Sequence, residues 1–120
     1  MRVFKVKAFA RWARKQRIGD AVLREAVAEM QQGLIDAQLG GGVCKKRIPS
    51  LSRGKRGGAR TIVAFQSTKH TFFMFGYLKN EATDIDSRKI RGLRQYAHHL
   101  FTLTEEQLAT LLDQRDLVEV

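Results

Sequence analysis

Basic side chains recur at defined positions on three consecutive stretches whose composition predicts β-strands. The stretches are VCKKRI (43–48), RTIVAFQ (60–66) and HTFFMFGYLK (70–79). Because side chains of a strand alternate between its two faces, every second residue shares a face. If the strands are neighbours in one sheet, cations and a tyrosine converge on one side of it. The converging residues are Lys45 or Arg47 on the first strand, Arg60 at the start of the second, and Tyr77 or Lys79 on the third, with Lys46 on the opposite face of the first.

Such a surface suits the phosphate backbone of RNA with a base stacked nearby. RNA also carries its own nucleophile, the 2′-OH, so cleavage needs a base for that oxygen, cations for the phosphorane and an acid for the departing 5′-oxygen. Crowded lysines have a lowered pKa because like charges disfavour one another, and one of them could act as the base or the acid near neutral pH. Arginine stays charged and suits the transition-state phosphate. This chemistry requires neither a metal nor a cofactor, and we expect none.

The distribution of charge also indicates a polyanionic partner. The 120 residues carry a formal net charge of +10. No Asp or Glu occurs between Ala37 and Asn80, whereas this window holds nine cations, and the rest of the chain is nearly balanced. A solvated surface usually mixes both signs, so the exclusion of one sign favours a phosphate-rich ligand over solubility alone.

The loop SRGKRGGAR (52–60) concentrates part of this charge directly before a predicted buried strand. Its Arg53, Lys55 and Arg56 form a basic rim that could follow an RNA or rRNA backbone. Gly57 and Gly58 would clear space for the arginine that opens the strand. The loop is not a phosphate-binding P-loop, because the G-x4-G-K-[ST] spacing is missing.

Several other classes of protein are disfavoured. His98 and His99 are adjacent on a predicted helix, point about 100° apart and cannot share a metal. The acids lie in the helical flanks, which argues against a paired-carboxylate mechanism. There is no apolar run of the roughly 18 residues that a membrane span needs, and no targeting segment is visible. With one cysteine, Cys44, and no linker, we expect a single domain of residues 1–120 in the cytoplasm, with no small-molecule substrate.

The periodicity predicts the element order βααβββαα, an α+β fold with an antiparallel sheet and helices packed on one face. A strand covers residues 2–6, helices cover 7–16 and 21–32, and the three basic strands form a meander after a turn at 39–42. Asp20 and Asp86 are predicted N-caps, and Thr104 with Gln107 forms a capping box for the last helix.

On these residues the chain resembles the RelE/HigB-like toxins of bacterial type II toxin–antitoxin modules. The resemblance covers most of the chain and is most specific in the blocks GKRGGARTIVAF and FGYLKNEATDI. It implies a RelE-like fold and a ribosome-dependent endoribonuclease that cuts translated mRNA. The implied partners are a cognate antitoxin that covers the cationic side of the sheet, and the ribosome with its mRNA and rRNA.

The resemblance also implies roles for individual residues. Arg60 would stabilise the scissile phosphate, Lys45 or Arg47 would neutralise or deprotonate, and Lys79 would assist the leaving group. The remaining expected contacts to nucleic acid are Lys46, Arg53, Lys55, Arg56, Tyr77 and Asn80. Asn80 stands where some relatives carry an arginine, and ATDIDSRK lacks the tyrosine that would stack on a base.

Other interpretations remain open at this point. The chain could be a non-catalytic nucleic-acid-binding relative, or a ParE-like toxin that targets DNA gyrase. Lys45–Arg47 could form a solvated edge strand, Arg60 could pair with Asp113 or Glu119, and Tyr77 could be a core aromatic residue.

Overall fold

A six-stranded sheet organises the chain, and the computed structural model describes residues 1–49, 58–79 and 85–120. In those residues the elements are β1 (Val3–Val6), α1 (Lys7–Lys15), α2 (Asp20–Gln31), β2 (Ala37–Gly40), β3 (Val43–Ile48), β4 (Ala59–Ala64), β5 (Thr71–Leu78), α3 (Ser87–Phe101), α4 (Glu105–Asp113) and β6 (Leu117–Glu119).

The strands lie in the order β2-β3-β4-β5-β1-β6. β2 to β5 form a continuous antiparallel series, β1 joins β5 in parallel, and β6 pairs with β1 in the antiparallel sense. The α+β class and the meander of the three basic strands are therefore confirmed. The meander follows from their short connections, which leave no room for a crossover helix.

The sequence pattern did not predict the two edge strands. β2 covers part of the segment expected to be a turn, which is confined to Gly41 and Gly42. β6 contains only three residues, two of them exposed. Strands this short and this exposed lack the alternation of apolar and polar residues that identifies a half-buried strand.

Helices cover both faces of the sheet, and the layering differs here from the expected single layer. On β5, a Cβ at Gly76 would meet the Trp12 ring at 2.2 Å, so α1 lies directly over that glycine. On the opposite face the Lys89 ammonium of α3 lies 4.2 Å from the centroid of the Phe75 ring. Because neighbouring residues of a strand point to opposite faces, α1 and α3 enclose β5. This explains why β5 is apolar on both faces.

The core sits on both sides of these central strands. Phe72 stacks on Phe4 and meets Phe101 of α3 edge-on, whereas Phe73 packs against Phe9 of α1. Burial of such rings contributes about 1.5–3 kcal/mol each to stability. In the part of the chain that the structure describes, no helix has the length and apolarity needed to cross a membrane.

The helix caps follow the sequence closely, with one exception. The Asp86 carboxylate accepts the Lys89 backbone N–H, and Thr104 and Gln107 form the predicted capping box. Gly19, rather than Asp20, is the N-cap of α2. Asp20 begins the helix instead, and its carboxylate accepts a hydrogen bond of 2.8 Å from Lys5 Nζ.

Candidate functional site

Two arginines face each other across the centre of the meander. Arg47 of β3 pairs in register with Arg60 of β4, which in turn pairs with Tyr77 of β5. Directly opposed residues share a face, with Cα atoms about 4.5–5.5 Å apart. The Arg47 side chain is exposed and that of Arg60 is half-buried. The register thus brings the two guanidinium groups to one surface, as the alternation of residues predicted. We call the aligned residues Arg47, Arg60 and Tyr77 the arginine row.

A second row on the same face adds two lysines. Lys45 lies opposite Ile62, which lies opposite Phe75, so this row runs beside the arginine row. The ammonium group of Lys89, on α3, lies over the Phe75 ring. A cation over an aromatic ring is favourable by about 0.5–1 kcal/mol at an exposed site. We call the surface formed by Lys45, Arg47, Arg60 and Lys89 the basic face.

Lys89 is the member of the basic face that was not predicted from the sequence. It lies three residues after the N-cap Asp86, in a helix whose sequence gives no indication of which strand it covers. Only the packing of α3 over β5 places it beside the arginine row.

Lys46 is not brought to the basic face. It points to the other side of β3, where its Nζ lies 2.7 Å from a Glu29 carboxylate oxygen and donates to the Leu34 carbonyl at 2.9 Å. Its side chain is only 9% exposed. The alternation of the strand predicted the opposite orientation correctly, but burial under α2 leaves this ammonium group no access to a nucleic acid.

Tyr77 shares the arginine row but is buried, with 7% of its surface exposed. Its ring packs at 6.1 Å from that of Phe75. Its ring face is therefore not available for stacking on a base. Lys79 directly follows the end of β5 and is exposed.

The backbone around the arginine row is fixed by polar contacts. The Asp36 carboxylate accepts the backbone N–H of Arg47, and the Asp36 N–H donates to the Lys45 carbonyl at 3.0 Å. Thr61 Oγ1 donates to the Lys46 carbonyl at 2.8 Å and so ties β4 to β3. These contacts hold the strand that carries Lys45 and Arg47 in one position.

Gly58 lies directly before the first residue of β4. Its φ of 51° lies in the left-handed region that residues with a Cβ rarely adopt. Ala59 then begins the strand and Arg60 follows. Gly58 thus has a conformational reason to be glycine, and the predicted clearing of space for Arg60 stays a prediction. Arg53, Lys55, Arg56, Gly57 and Asn80 lie outside the described residues.

The proposed alternative pairing of Arg60 with Glu119 is contradicted by the position of that carboxylate. Both Glu119 oxygens accept from Arg2, each at 2.9 Å, at the far edge of the sheet. β5 and β1 separate that edge from β4.

The fold and the basic face define a small α+β protein that presents arginine and lysine side chains from neighbouring strands and an overlying helix. A family model described as the RelE toxin of the RelE/RelB toxin–antitoxin system matches residues 1–120. The chain belongs to this family. It is a toxin of a toxin–antitoxin system, and the family implies an antitoxin as its partner.

Proposed function

We propose that this toxin is a metal-independent endoribonuclease that cuts translated mRNA on the ribosome. The register of Arg47 opposite Arg60, with Lys45 one row away on the same face, carries the proposal. Like charges directly opposed in a sheet reduce its stability. A bound phosphate would turn this repulsion into attraction, because two guanidinium groups can each donate two hydrogen bonds to phosphate oxygens.

The proposed reaction uses the nucleophile of the RNA itself. The 2′-OH loses its proton to a base and attacks the adjacent phosphorus, the bond from phosphorus to the 5′-oxygen breaks, and that oxygen takes up a proton. The products are a 2′,3′-cyclic phosphate and a 5′-OH. The phosphorane gains negative charge along this path, and fixed cations that meet it typically contribute about 100-fold to 1,000-fold in rate each.

Positions on the basic face suggest how these tasks are divided. Arg60 is half-buried at the start of β4 and would hold the scissile phosphate, with Arg47 neutralising it from the opposite strand. Lys45 would accept the 2′-OH proton. Lys79, which follows the end of β5, would protonate the leaving oxygen.

The need for a ribosome is supported by what the basic face does not offer. Its cations suit a phosphate, whereas the Tyr77 ring that could have oriented a base is buried. Orientation of the reacting groups supplies a large part of the rate enhancement of an enzyme. We infer that the ribosome supplies this orientation by holding the mRNA codon in a fixed conformation.

The decisive experiment is primer extension on an mRNA in a reconstituted translation system, with the same mRNA free of ribosomes as a parallel sample. Wild-type toxin should produce cuts within the translated frame only when ribosomes are present. Arg60→Ala should lose them, whereas Arg24→Ala, which removes an exposed cation from α2, should retain them.

Three results would contradict the proposal. Cuts of equal intensity without ribosomes would exclude ribosome dependence. Growth arrest with intact mRNA and broken DNA would identify a gyrase-directed toxin. Binding to RNA with no cleavage and no toxicity would identify a non-catalytic relative.

A further inference from the structure

A groove of about 540 Å³ runs between α1, the end of α4 and β6. It lies at the edge of the sheet opposite to the basic face, because β6 is the last strand beyond β5 and β1. With neighbouring strands about 4.8 Å apart, roughly 14 Å of sheet separates β6 from β4. A ligand in this groove would therefore leave the arginine row uncovered unless it extended around the molecule.

Four cations surround the groove. Lys7, Arg11 and Arg14 lie on one stripe of α1, since residues three and four apart share a helix face, and Arg115 follows α4 on the other side. All four are exposed, and none of them forms an ion pair among residues 1–49, 58–79 and 85–120.

The acid that lines the groove does not compensate these cations. Both oxygens of Glu119 are held by Arg2. Arg2 also contacts Glu105 at 3.1 Å. The groove therefore keeps a positive potential, which favours an acidic ligand.

The floor of the groove is apolar. Leu117 is buried beneath it, Leu112 is half-buried, and Val118 exposes 37% of its surface. Cations alone would be enough to bind the backbone of a nucleic acid. An apolar floor inside a cationic rim fits better to a peptide segment that carries apolar residues on one side and carboxylates on the other.

We propose that this groove binds an acidic amphipathic segment of the antitoxin, and that it anchors the antitoxin outside the basic face. The inference rests on the membership of the chain in a toxin–antitoxin family and on the groove, and it does not depend on the cleavage chemistry. Since α1 packs on the opposite face of the sheet from Lys89, the anchor and the basic face are separate surfaces.

The test uses the antitoxin encoded by the reading frame adjacent to the toxin gene, purified as a full chain. The toxin carries Arg60→Ala so that it can be produced alone. Arg11→Glu/Arg14→Glu reverses two charges of the rim, and Arg24→Glu/Lys69→Glu makes the same change at exposed positions on α2 and the β4–β5 turn. Isothermal titration calorimetry gives the Kd, and thermal unfolding checks that each variant is folded.

The rim variant should bind the antitoxin about tenfold or more weakly, because several attractive charge pairs become repulsive. The control should stay within about twofold of the parent, since neither of its positions lines the groove. Val118→Thr, which keeps the shape of the side chain but makes it polar, should weaken binding about threefold. Equal binding by the rim variant and the control overturns the proposal, and unchanged binding by Val118→Thr overturns the amphipathic character of the ligand.

The same rim substitutions in a toxin with Arg60 intact separate this inference from the proposed function. Ribosome-dependent cleavage should remain as in the parent. If cleavage falls while antitoxin binding is unchanged, the groove is a contact to the ribosome and the proposal is wrong. If the parent itself does not cleave RNA but the rim variant loses the antitoxin, the proposed function fails and the anchor stands.

Discussion

The two ends of the sheet use arginine in different ways. At the β1–β6 end, Arg2 contacts Glu105 and Glu119, and His70 Nε2 lies 3.0 Å from a Glu105 oxygen. At the β3–β4 end, Arg47 stands directly opposite another arginine. The first arrangement ties the N-terminal strand to the C-terminal one, whereas the second places like charges together on a surface.

This difference separates the cations that tie elements of the fold together from the cations that we propose bind the RNA. Acids in this sequence are confined to the segments before and after the 44-residue window that contains β3, β4 and β5. At the β1–β6 end, Glu105 and Glu119 both meet Arg2. The strands that carry Lys45, Arg47 and Arg60 contain no acid of their own, and we propose that a phosphate ligand meets their cations.

The largest expected effects come from making the same substitution at both ends. Arg47→Gln should reduce cleavage of translated mRNA about 100-fold, since a cation at the phosphorane is lost. It should change the free energy of unfolding by no more than about 0.5 kcal/mol, because the side chain is exposed. Arg2→Gln should show the opposite pattern: the thermal unfolding temperature should fall, and cleavage of translated mRNA should stay unchanged. Primer extension and thermal unfolding measure the two effects.

The proposed contrast between the two ends of the sheet is wrong if Arg47→Gln and Arg2→Gln have the same effects. A loss of stability in Arg47→Gln as large as that in Arg2→Gln would mean that the arginine row holds the fold together. A loss of cleavage in Arg2→Gln with unchanged unfolding would extend the ligand surface to the far edge of the sheet.

Lys46 provides a further test of the contrast between the two ends of the sheet, because it is a cation of β3 that is paired with Glu29. Lys46→Met removes the ammonium group from Glu29 and from the Leu34 carbonyl. We expect a loss of about 1–3 kcal/mol in the free energy of unfolding, below the range for fully buried pairs, because the Glu29 side chain is 43% exposed. Urea denaturation measures this loss.

A double variant shows whether the pair itself is responsible. In Lys46→Met/Glu29→Gln both charges are absent, so no carboxylate is left without its ammonium partner. The loss in the free energy of unfolding should therefore be smaller than the sum of the two single losses. Strict additivity would mean that Lys46 and Glu29 are not coupled and that Lys46 stabilises the protein through its hydrogen bond to the Leu34 carbonyl instead.

The central part of the fold could be predicted because its signals are local. The bounds of β3 match the prediction residue for residue, and the capping box at Thr104 has a distinctive spacing. β2 and β6 could not be predicted, because each is held by pairing with a strand distant in sequence or by a bulged hairpin rather than by its own composition. The layering of the helices depends on which face of β5 each one covers, and β5 is apolar on both.

The site was predicted as far as alternation along a strand allows. Alternation placed Arg47 on one face and Lys46 on the other. It could not show that α2 would bury Lys46 against Glu29, that Tyr77 would be covered, or that α3 would deliver Lys89 over Phe75. Each of these depends on packing between elements, for which one sequence gives no direct signal.

The smallest expected effect is the pH dependence of the β1–β6 end. The hydrogen bond with His70, together with the smaller effect of the Arg2 guanidinium, holds the pKa of Glu105 below its usual 4.5, and Arg2 holds the pKa of Glu119 below the same value. A carboxylate whose pKa is lowered by folding contributes stability that is present above the unfolded value and lost as the pH falls through the folded one. The unfolding temperature of the wild type should therefore exceed that of Arg2→Gln at neutral pH, and the gap should narrow below about pH 4.5.

Thermal unfolding followed by circular dichroism between neutral pH and pH 3 checks this prediction, and Arg47→Gln serves as the control. Its unfolding temperature should follow that of the wild type through the acid range, because Arg47 forms no ion pair with a carboxylate in the described part of the chain. A gap between wild type and Arg2→Gln that stays constant in acid would show that Arg2 acts through neutral contacts. The charge pairs would then not be what distinguishes this end of the sheet from the basic face.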